Sequence, residues 1–205
     1  MIAAVLKQTR SAIHADHEAM RSGREKYKTD GSSNRTAGLV GDAVQKVGFQ
    51  IMVAYRIMRA ARDLHLPVLP QILSRLIRHV YGAEIHWEAT LAPGVSIVHG
   101  TGLVLSHGCE VGPGCILFQG VTLGESIDPL SRVVGSPKLG GNVHIGPGAV
   151  LLGPITIGEG SKIMANVVVD RSVPAGSIVR SSPIEIDTRA GRVHACAESG
   201  ALDGR

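Results

Sequence analysis

Large aromatic side chains are scarce in this chain: two Phe, one Trp and three Tyr among 205 residues. A core of stacked rings is therefore excluded, although 44% of the residues are apolar and the length is enough to bury a sizeable interior. That interior has to be built from Val, Ile, Leu and Ala in thin layers, which argues against an ordinary sandwich or bundle. The same scarcity removes the stacking platform of a single-strand nucleic-acid binder, and the Lys and Arg behind the formal charge of +4 are scattered. No nucleic-acid partner is expected, while a mild basic excess suits phosphate-bearing small molecules. No apolar run approaches the roughly 18 residues of a membrane span, so stable membrane insertion is not expected. The opening "MIAAVLKQTR" meets Lys7 and Arg10 before a signal-peptide core forms, which makes the cytoplasm the expected compartment. Cysteine is also rare. Cys109, Cys115 and Cys196 lack metal-ligand spacing and read as buried small hydrophobes in a reducing compartment.

The chain changes period near residue 83. Residues 1–83 read as an α-helical domain, with helices over 2–21, 39–64 and 70–81 separated by "SGREKYKTDGSSNRTAG" and "LPVLP". In the second helix Phe49, Val53, Ile57 and Ala60 fall near helical spacing, leaving Arg59, Arg62 and Asp63 for the wetter side. The basic, apolar stretch 50–80 admits a membrane-surface reading or a helical cap packed on the next domain, and the cap is the reading taken.

From Ile85 an aliphatic beat falls every six residues: Ile85, Leu91, Ile97, then after a two-residue shift Leu105, Val111, Leu117, Leu123. It pauses and resumes at Leu139, Ile145, Leu151, Ile157, Ile163 and Val169, and glycine often follows. Hexapeptide periodicity of this kind specifies a mainly β chain, a triangular parallel β-helix over 84–179 in which three hexapeptides make one coil. Glycine turns its corners, where positive φ is often needed. The gap at 125–138, "ESIDPLSRVVGSPK", has no beat and leaves the prism as an excursion loop, a candidate wall for a site. Residues 180–205 form a tail expected to be weakly structured.

Histidines concentrate in "GAEIHWEATLAPGVSIVHGTGLVLSHG" (82–108), where zinc ligation, base catalysis and ordinary turn roles all remain open. "FQIMVAYRI", "EIHWEATLAPGVSIVHGTGLVL", "QGVTLGE", "SPKLGGNVHIGPGAVLLGPITIGEGSKIMANVVV" and "RSVPAGSI" follow one another as in serine acetyltransferases and the related capsule and exopolysaccharide O-acetyltransferases. The chain resembles that family over about residues 45–180. The resemblance implies a left-handed parallel β-helix with an N-terminal helical domain, assembled as a homotrimer or a dimer of trimers. It implies acetyl-CoA as cosubstrate, no permanently bound cofactor and no metal. His99, in "HGTG", takes the family's catalytic position, a base that removes a proton from the acceptor hydroxyl and returns it to the coenzyme A thiolate. Glu84 stands where the serine enzymes carry the Asp that orients this His. Coenzyme A, by the same resemblance, lies in a groove between prisms. Gly124, Gly148 and Ala165 would permit its close approach, and Lys138 and Lys162 would stand near its phosphates.

The acceptor side departs from the pattern. Val98 replaces an Asp that receives the serine ammonium, and Gly135 and Ser136 replace the first two residues of an R-H-P-K segment whose Arg grips the carboxylate. Asp30 and Arg132 are the candidate compensating charges. An unpaired ammonium or carboxylate in a partly dry site is costly, so the expected acceptor is a hydroxyl other than free serine, on a sugar, polysaccharide precursor or secondary metabolite. The alternative is L-serine, giving O-acetyl-L-serine for cysteine synthesis. The end "ALDGR" lacks the terminal Ile that docks in the next enzyme of that pathway, so a cysteine synthase partner is not expected. A zinc hydratase of the hexapeptide type is disfavoured because none of the His spacings matches its five-residue pair. A non-catalytic scaffold stays open because Glu84 and Ser136 are departures. His86 reads as corner packing, and His107 and His144 as solvated or locally hydrogen-bonded.

Overall fold

The computed structural model describes residues 1–25, 38–127 and 132–182, with the backbone alone for 23–25, 186–188 and 191–193. Among the described residues four helices come first: α1 (Ile2–Glu25), α2 (Leu39–Gln45), α3 (Val47–Asp63) and α4 (Leu69–Tyr81). The single helix expected over 39–64 is two, because Lys46 leaves the helical region (φ −113°, ψ 101°) and serves as the N-cap residue of α3. No Gly or Pro marks that break. It lets α3 start flush against the next domain, so close that a Cβ on Gly48 would fall on the Ile97 carbonyl. α3 is also buried more widely than one stripe: Phe49, Ile51, Met52, Tyr55, Arg56 and Met58 are covered, while Ile57, expected inside, is 51% exposed. The reason is that α3 packs on α1, α4 and the prism together.

The strands then wind in coils. The first is β1 (Glu84–Ile85), β2 (Thr90–Leu91) and β3 (Ser96–Ile97), and the second is β4 (Val104–Leu105), β5 (Glu110–Val111) and β6 (Ile116–Leu117). In the third, β7 (Thr122–Gly124) is followed by an antiparallel hairpin, β8 (Ser126–Ile127) and β9 (Val134–Gly135), before β10 (Lys138–Leu139) and β11 (His144–Ile145) resume. The fourth is β12 (Val150–Leu152), β13 (Thr156–Ile157) and β14 (Lys162–Ile163). A partial fifth holds β15 (Val168–Val169) and β16 (Ile178–Val179). Stacking gives three parallel sheets: β1-β4-β7-β12-β15, β2-β5-β10-β13 and β3-β6-β11-β14-β16. This is the parallel β-helix specified by the beat. Every beat residue from Ile85 to Val169 is buried, 0–5% exposed, and the residues four further on, such as Cys109, Val121, Ala149 and Ser161, share the interior. β17 (Ile186–Thr188) and β18 (Gly191–Val193) pair antiparallel, a short hairpin where only a loose tail was expected.

Register shows where the coils differ. Leu139 pairs with Ile157 and Ile145 with Ile163, the regular repeat of three hexapeptides. Ile85 pairs with Leu105, so the first coil is two residues longer, and the surplus sits at the corner around His99. Val111 pairs with Leu139 and Glu110 with Lys138, so the ladder closes across the excursion, which ends one residue earlier than the 125–138 expected.

The corner glycines divide into two kinds, which refines the expectation of positive φ. Gly114 and Gly148 do lie in the left-handed region, at φ +71° and +69°. Gly146 does not; its Cβ would stand 2.7 Å from the Ala165 nitrogen and 2.9 Å from the Met164 carbonyl carbon, so close stacking of coils excludes a side chain. Gly146→Ala is expected to cost about 1–3 kcal/mol by overpacking against backbone, read as a lower urea midpoint.

An open first coil would leave a row of unpaired backbone groups, and the helices cover it. Tyr55 Oη donates to the Ala89 carbonyl (3.1 Å) and accepts from the Leu91 N–H (2.9 Å). Arg56 donates to the Leu91 and Ala92 carbonyls, both at 2.8 Å, and makes a two-pronged pair with Asp16 of α1 at 2.7 and 2.9 Å. Asp16 in turn accepts from the Gly94 N–H at 2.8 Å, and Ser74 of α4 donates to the Ile85 carbonyl. Among the described residues no helix is long and apolar enough to cross a membrane.

Candidate active site

The longer corner of the first coil carries His99. Its backbone sits at φ +67°, a conformation uncommon for a side-chain-bearing residue and a marker of a constrained position. The corner is pinned from both sides: Gly102 N–H donates to the Gly82 carbonyl (2.8 Å) below and Gly120 N–H to the Thr101 carbonyl (2.9 Å) above. Thr101 N–H closes the turn on the His99 carbonyl at 2.8 Å. Gly100 is buried under Ile51 of α3, where a Cβ would collide with the Ile51 side chain. The result is an exposed imidazole on a rigid backbone.

His99 opens onto a cleft of about 620 Å³ between the third sheet and the helices. Val98, Ile116 and Phe118 form its prism wall; Met20, Lys46 and Phe49 form the helical wall. Lys46 and the first turn of α3 also line it, so the cleft that holds His99 is bordered by a lysine and by the positive end of a 17-residue helix. Lys46, Phe49 and Phe118 line this cleft, and none of them was singled out from the sequence as a site residue. For Lys46 and Phe49 the only sequence signal was the segment "QKVGF", whose position beside the corner depends on how α3 docks; Phe118 directly follows β6 on the prism wall.

The other site residues fall in separate places. Glu84 lies on β1, one rung below Val104, with its carboxylate 3.5 Å from Arg78 Nη1. Among the described residues His99 has no carboxylate partner, so the pair is not closed in this conformation. Lys162 stands on the third sheet, on the same face that carries Ser96 at its first strand, reached by the register Ser96–Ile116–His144–Lys162. Three strand spacings separate the ends, about 14 Å. Gly148 and Ala165 occupy corners that follow β11 and β14. Lys138, in contrast, lies on the second sheet with its ammonium 2.7 Å from Glu110, and Gly124 ends β7 on the first sheet. Asp30 lies outside the described residues; Arg132 is exposed in the excursion at φ +60°.

Ser136 and Lys138 border a second cleft, about 420 Å³, with His107, Glu110, Glu125 and Pro154. Ser136 Oγ donates to the His107 carbonyl at 2.5 Å, and the His107 ring lies 3.1 Å from Glu88 and 3.3 Å from Glu125. His86 packs at its corner as expected, its ring centroid 3.8 Å from that of Trp87, and burial lowers its pKa. Cys109 and Cys115 are buried, their thiols pushed up to about 12 and about 11 by desolvation, so neither is a nucleophile. Among the described residues no three His, Cys, Asp or Glu side chains are arranged to share a metal ion.

His144 is half-buried beside Phe118, and burial followed by the Lys162 charge holds its pKa below the ordinary histidine value. As pH falls through about 6.5 the unfolded chain takes up this proton first, so stability is lost on the acid side until the folded value is passed. His144→Gln is expected to flatten part of that slope, with His86 supplying a remainder of the same sign. Urea midpoints above and below about pH 6.5 measure it.

This fold and cleft place the chain among hexapeptide transferases, and residues 136–171 match the model "Bacterial transferase hexapeptide (six repeats)". A serine acetyltransferase of Helicobacter pylori is 34% identical over 144 residues, covering 69% of this chain and 82% of that protein. The chain belongs to the serine acetyltransferase family. A Synechococcus elongatus serine acetyltransferase is 40% identical over 144 residues, 70% of this chain, but the match spans only 58% of that longer protein. The crystal structure of Neisseria gonorrhoeae serine acetyltransferase in complex with serine superposes at a TM-score of 0.72 with 28% identity, covering 86% of this chain and 68% of that one.

These relatives overturn the expectation of an acceptor other than serine. The substitutions behind it are real, but the inference treated Val98 and Ser136 as members of one anchor set. The structure puts Val98 in the cleft with His99, Lys46 and the start of α3, and Ser136 in the other cleft. Lys46, which was not among the candidate compensating charges, borders the His99 cleft and can answer a carboxylate, while the described lining of that cleft holds no acid in place of the ammonium partner lost at Val98.

Proposed function

We propose that this chain transfers the acetyl group of acetyl-CoA to the hydroxyl of L-serine. The observation that carries the reading is His99, exposed on a rigid, positive-φ corner inside a cleft whose opposite wall holds a cation and a helix N-terminus. His99 removes the hydroxyl proton as the oxygen attacks the thioester carbonyl, then returns it to the departing thiolate. Glu84 is the proposed orienting carboxylate, exchanging its Arg78 contact for the imidazole when substrates bind. Lys46 and the first turn of α3 take the serine carboxylate. The third-sheet face from Ser96 to Lys162 carries the pantetheine arm, with Gly148 and Ala165 at its corners and Lys162 toward the phosphates.

The same reading takes residues 1–83 as a helical cap, 84–179 as a left-handed catalytic prism and 180–205 as a tail. The prism assembles as a trimer, in which the second cleft of one copy, with Ser136, Arg132 and Gly124 near it, borders the site of the next.

The test is thiol release from acetyl-CoA with L-serine, homoserine and a set of sugars. Turnover confined to L-serine supports the reading, and turnover with sugars alone ends it. Lys46→Ala is expected to raise KM for L-serine roughly tenfold or more with little change in kcat, the pattern of a lost charge-assisted ground-state contact.

A further inference from the structure

The least explained surface of the molecule is the outer side of α4. Pro70, Ser74 and Ile77 face the interior, yet the helix presents a second apolar stripe to solvent: Leu69, Ile72, Leu76 and Val80, 37%, 52%, 55% and 59% exposed. Their spacing puts all four on one narrow arc of the helix. The preceding loop extends the stripe with Leu66 and Val68, 42% and 62% exposed. Arg75 and His79 run along the edge of this arc, and the whole segment from 65 to 83 contains no Asp or Glu. The acids nearest in sequence are already engaged, Asp63 with Arg59 at 3.1 Å and Glu84 with Arg78 at 3.5 Å.

That charge pattern decides between occupants. Two copies of α4 packed face to face would bring Arg75 against its own counterpart with no carboxylate on the helix to offset it. An apolar stripe edged by cations instead matches a phospholipid interface, where the side chains enter the acyl boundary and the cations meet anionic headgroups. We infer that α4, with Leu66 and Val68, is a peripheral docking face for anionic phospholipid bilayers. The helix lies in the plane of the interface and does not cross it. Acetyl transfer does not depend on this inference, nor the inference on it.

The test uses the full chain and sucrose-loaded vesicles of phosphatidylcholine, pure or with one-third phosphatidylglycerol. Co-sedimentation with the anionic vesicles, weakened by added salt, is expected. Leu76→Glu/Val80→Glu should reduce it roughly tenfold or more. Arg75→Gln, a milder change, should reduce it about fivefold, the worth of one basic residue near such a surface. Circular dichroism and acetyl transfer, whose proposed site lies elsewhere, report that the variants are folded. Protein that stays in the supernatant with anionic vesicles overturns the inference, and so does binding that neither variant alters. Loss of oligomer mass in Leu76→Glu/Val80→Glu without vesicle binding would overturn it in favour of contact between copies.

Discussion

Replacing His99 is expected to lower kcat/KM for acetyl transfer to L-serine by roughly 10²–10⁴-fold, the range for losing a positioned general base. The variant has to be chosen with the backbone in mind. At φ +67° alanine adds strain of its own, whereas asparagine tolerates the left-handed region and still lacks a basic nitrogen. His99→Asn and His99→Ala should therefore lose the same activity, while only the alanine form loses measurable stability. Because the imidazole is exposed and its corner is held through Gly82, Thr101 and Gly120, coenzyme A affinity should survive both changes. Turnover retained in His99→Asn would remove His99 from the mechanism. A parallel loss of coenzyme A binding would show that the residue acts through the groove and not on the proton.

The second large effect concerns stability. Asp16→Ala leaves the Arg56 guanidinium buried without its counter-charge, a change expected to cost about 3–5 kcal/mol. Burial pushes the Asp16 carboxyl above the ordinary range and the Arg56 contacts pull it back only in part, so the ionised pair is itself held at a cost. What makes removal severe is the work Arg56 does for the first coil, satisfying the Leu91 and Ala92 carbonyls. For that reason, replacing both partners by apolar residues of similar volume should not restore stability, unlike a simple buried ion pair, since those carbonyls would stay unpaired. Urea midpoints of the single and double variants separate the two cases. A double variant as stable as the parent would show the pair to be dispensable once its charges are removed together.

The prism was legible because its physics is local and repeated: one aliphatic residue in six has to face a narrow axis, and all the beats from Ile85 to Val169 do. The excursion was legible for the converse reason, as a stretch where the beat stops, although its Ser126–Gly135 and Ile127–Val134 pairing was not foreseen. The helical region was read less well. Nothing at Lys46 announces a break, and burying Arg56 in place of Ile57 makes sense only once Asp16, forty positions earlier, and the unpaired edge of the first coil are in place. The same limit governed the site. His99 sits inside a short motif and could be found there, whereas Lys46 and Phe49 reach the cleft through the docking of α3. The compensating charges expected from the sequence, Asp30 and Arg132, did not include Lys46, the cation that borders this cleft.

The closed ladder across the excursion has a consequence for how such a chain can change. Val111 pairs with Leu139 and Leu123 with Leu151, each 28 residues apart where Leu139 and Ile157 are 18 apart, so the lattice closes over a surplus of ten residues. Length at the tip of the excursion is therefore decoupled from the lattice, and a segment transplanted from a longer or shorter relative has to keep the returning end, where Ser136 donates to the His107 carbonyl and Lys138 pairs with Glu110. Substrate preference can then drift by insertion and deletion at one edge while the repeating lattice beneath stays fixed.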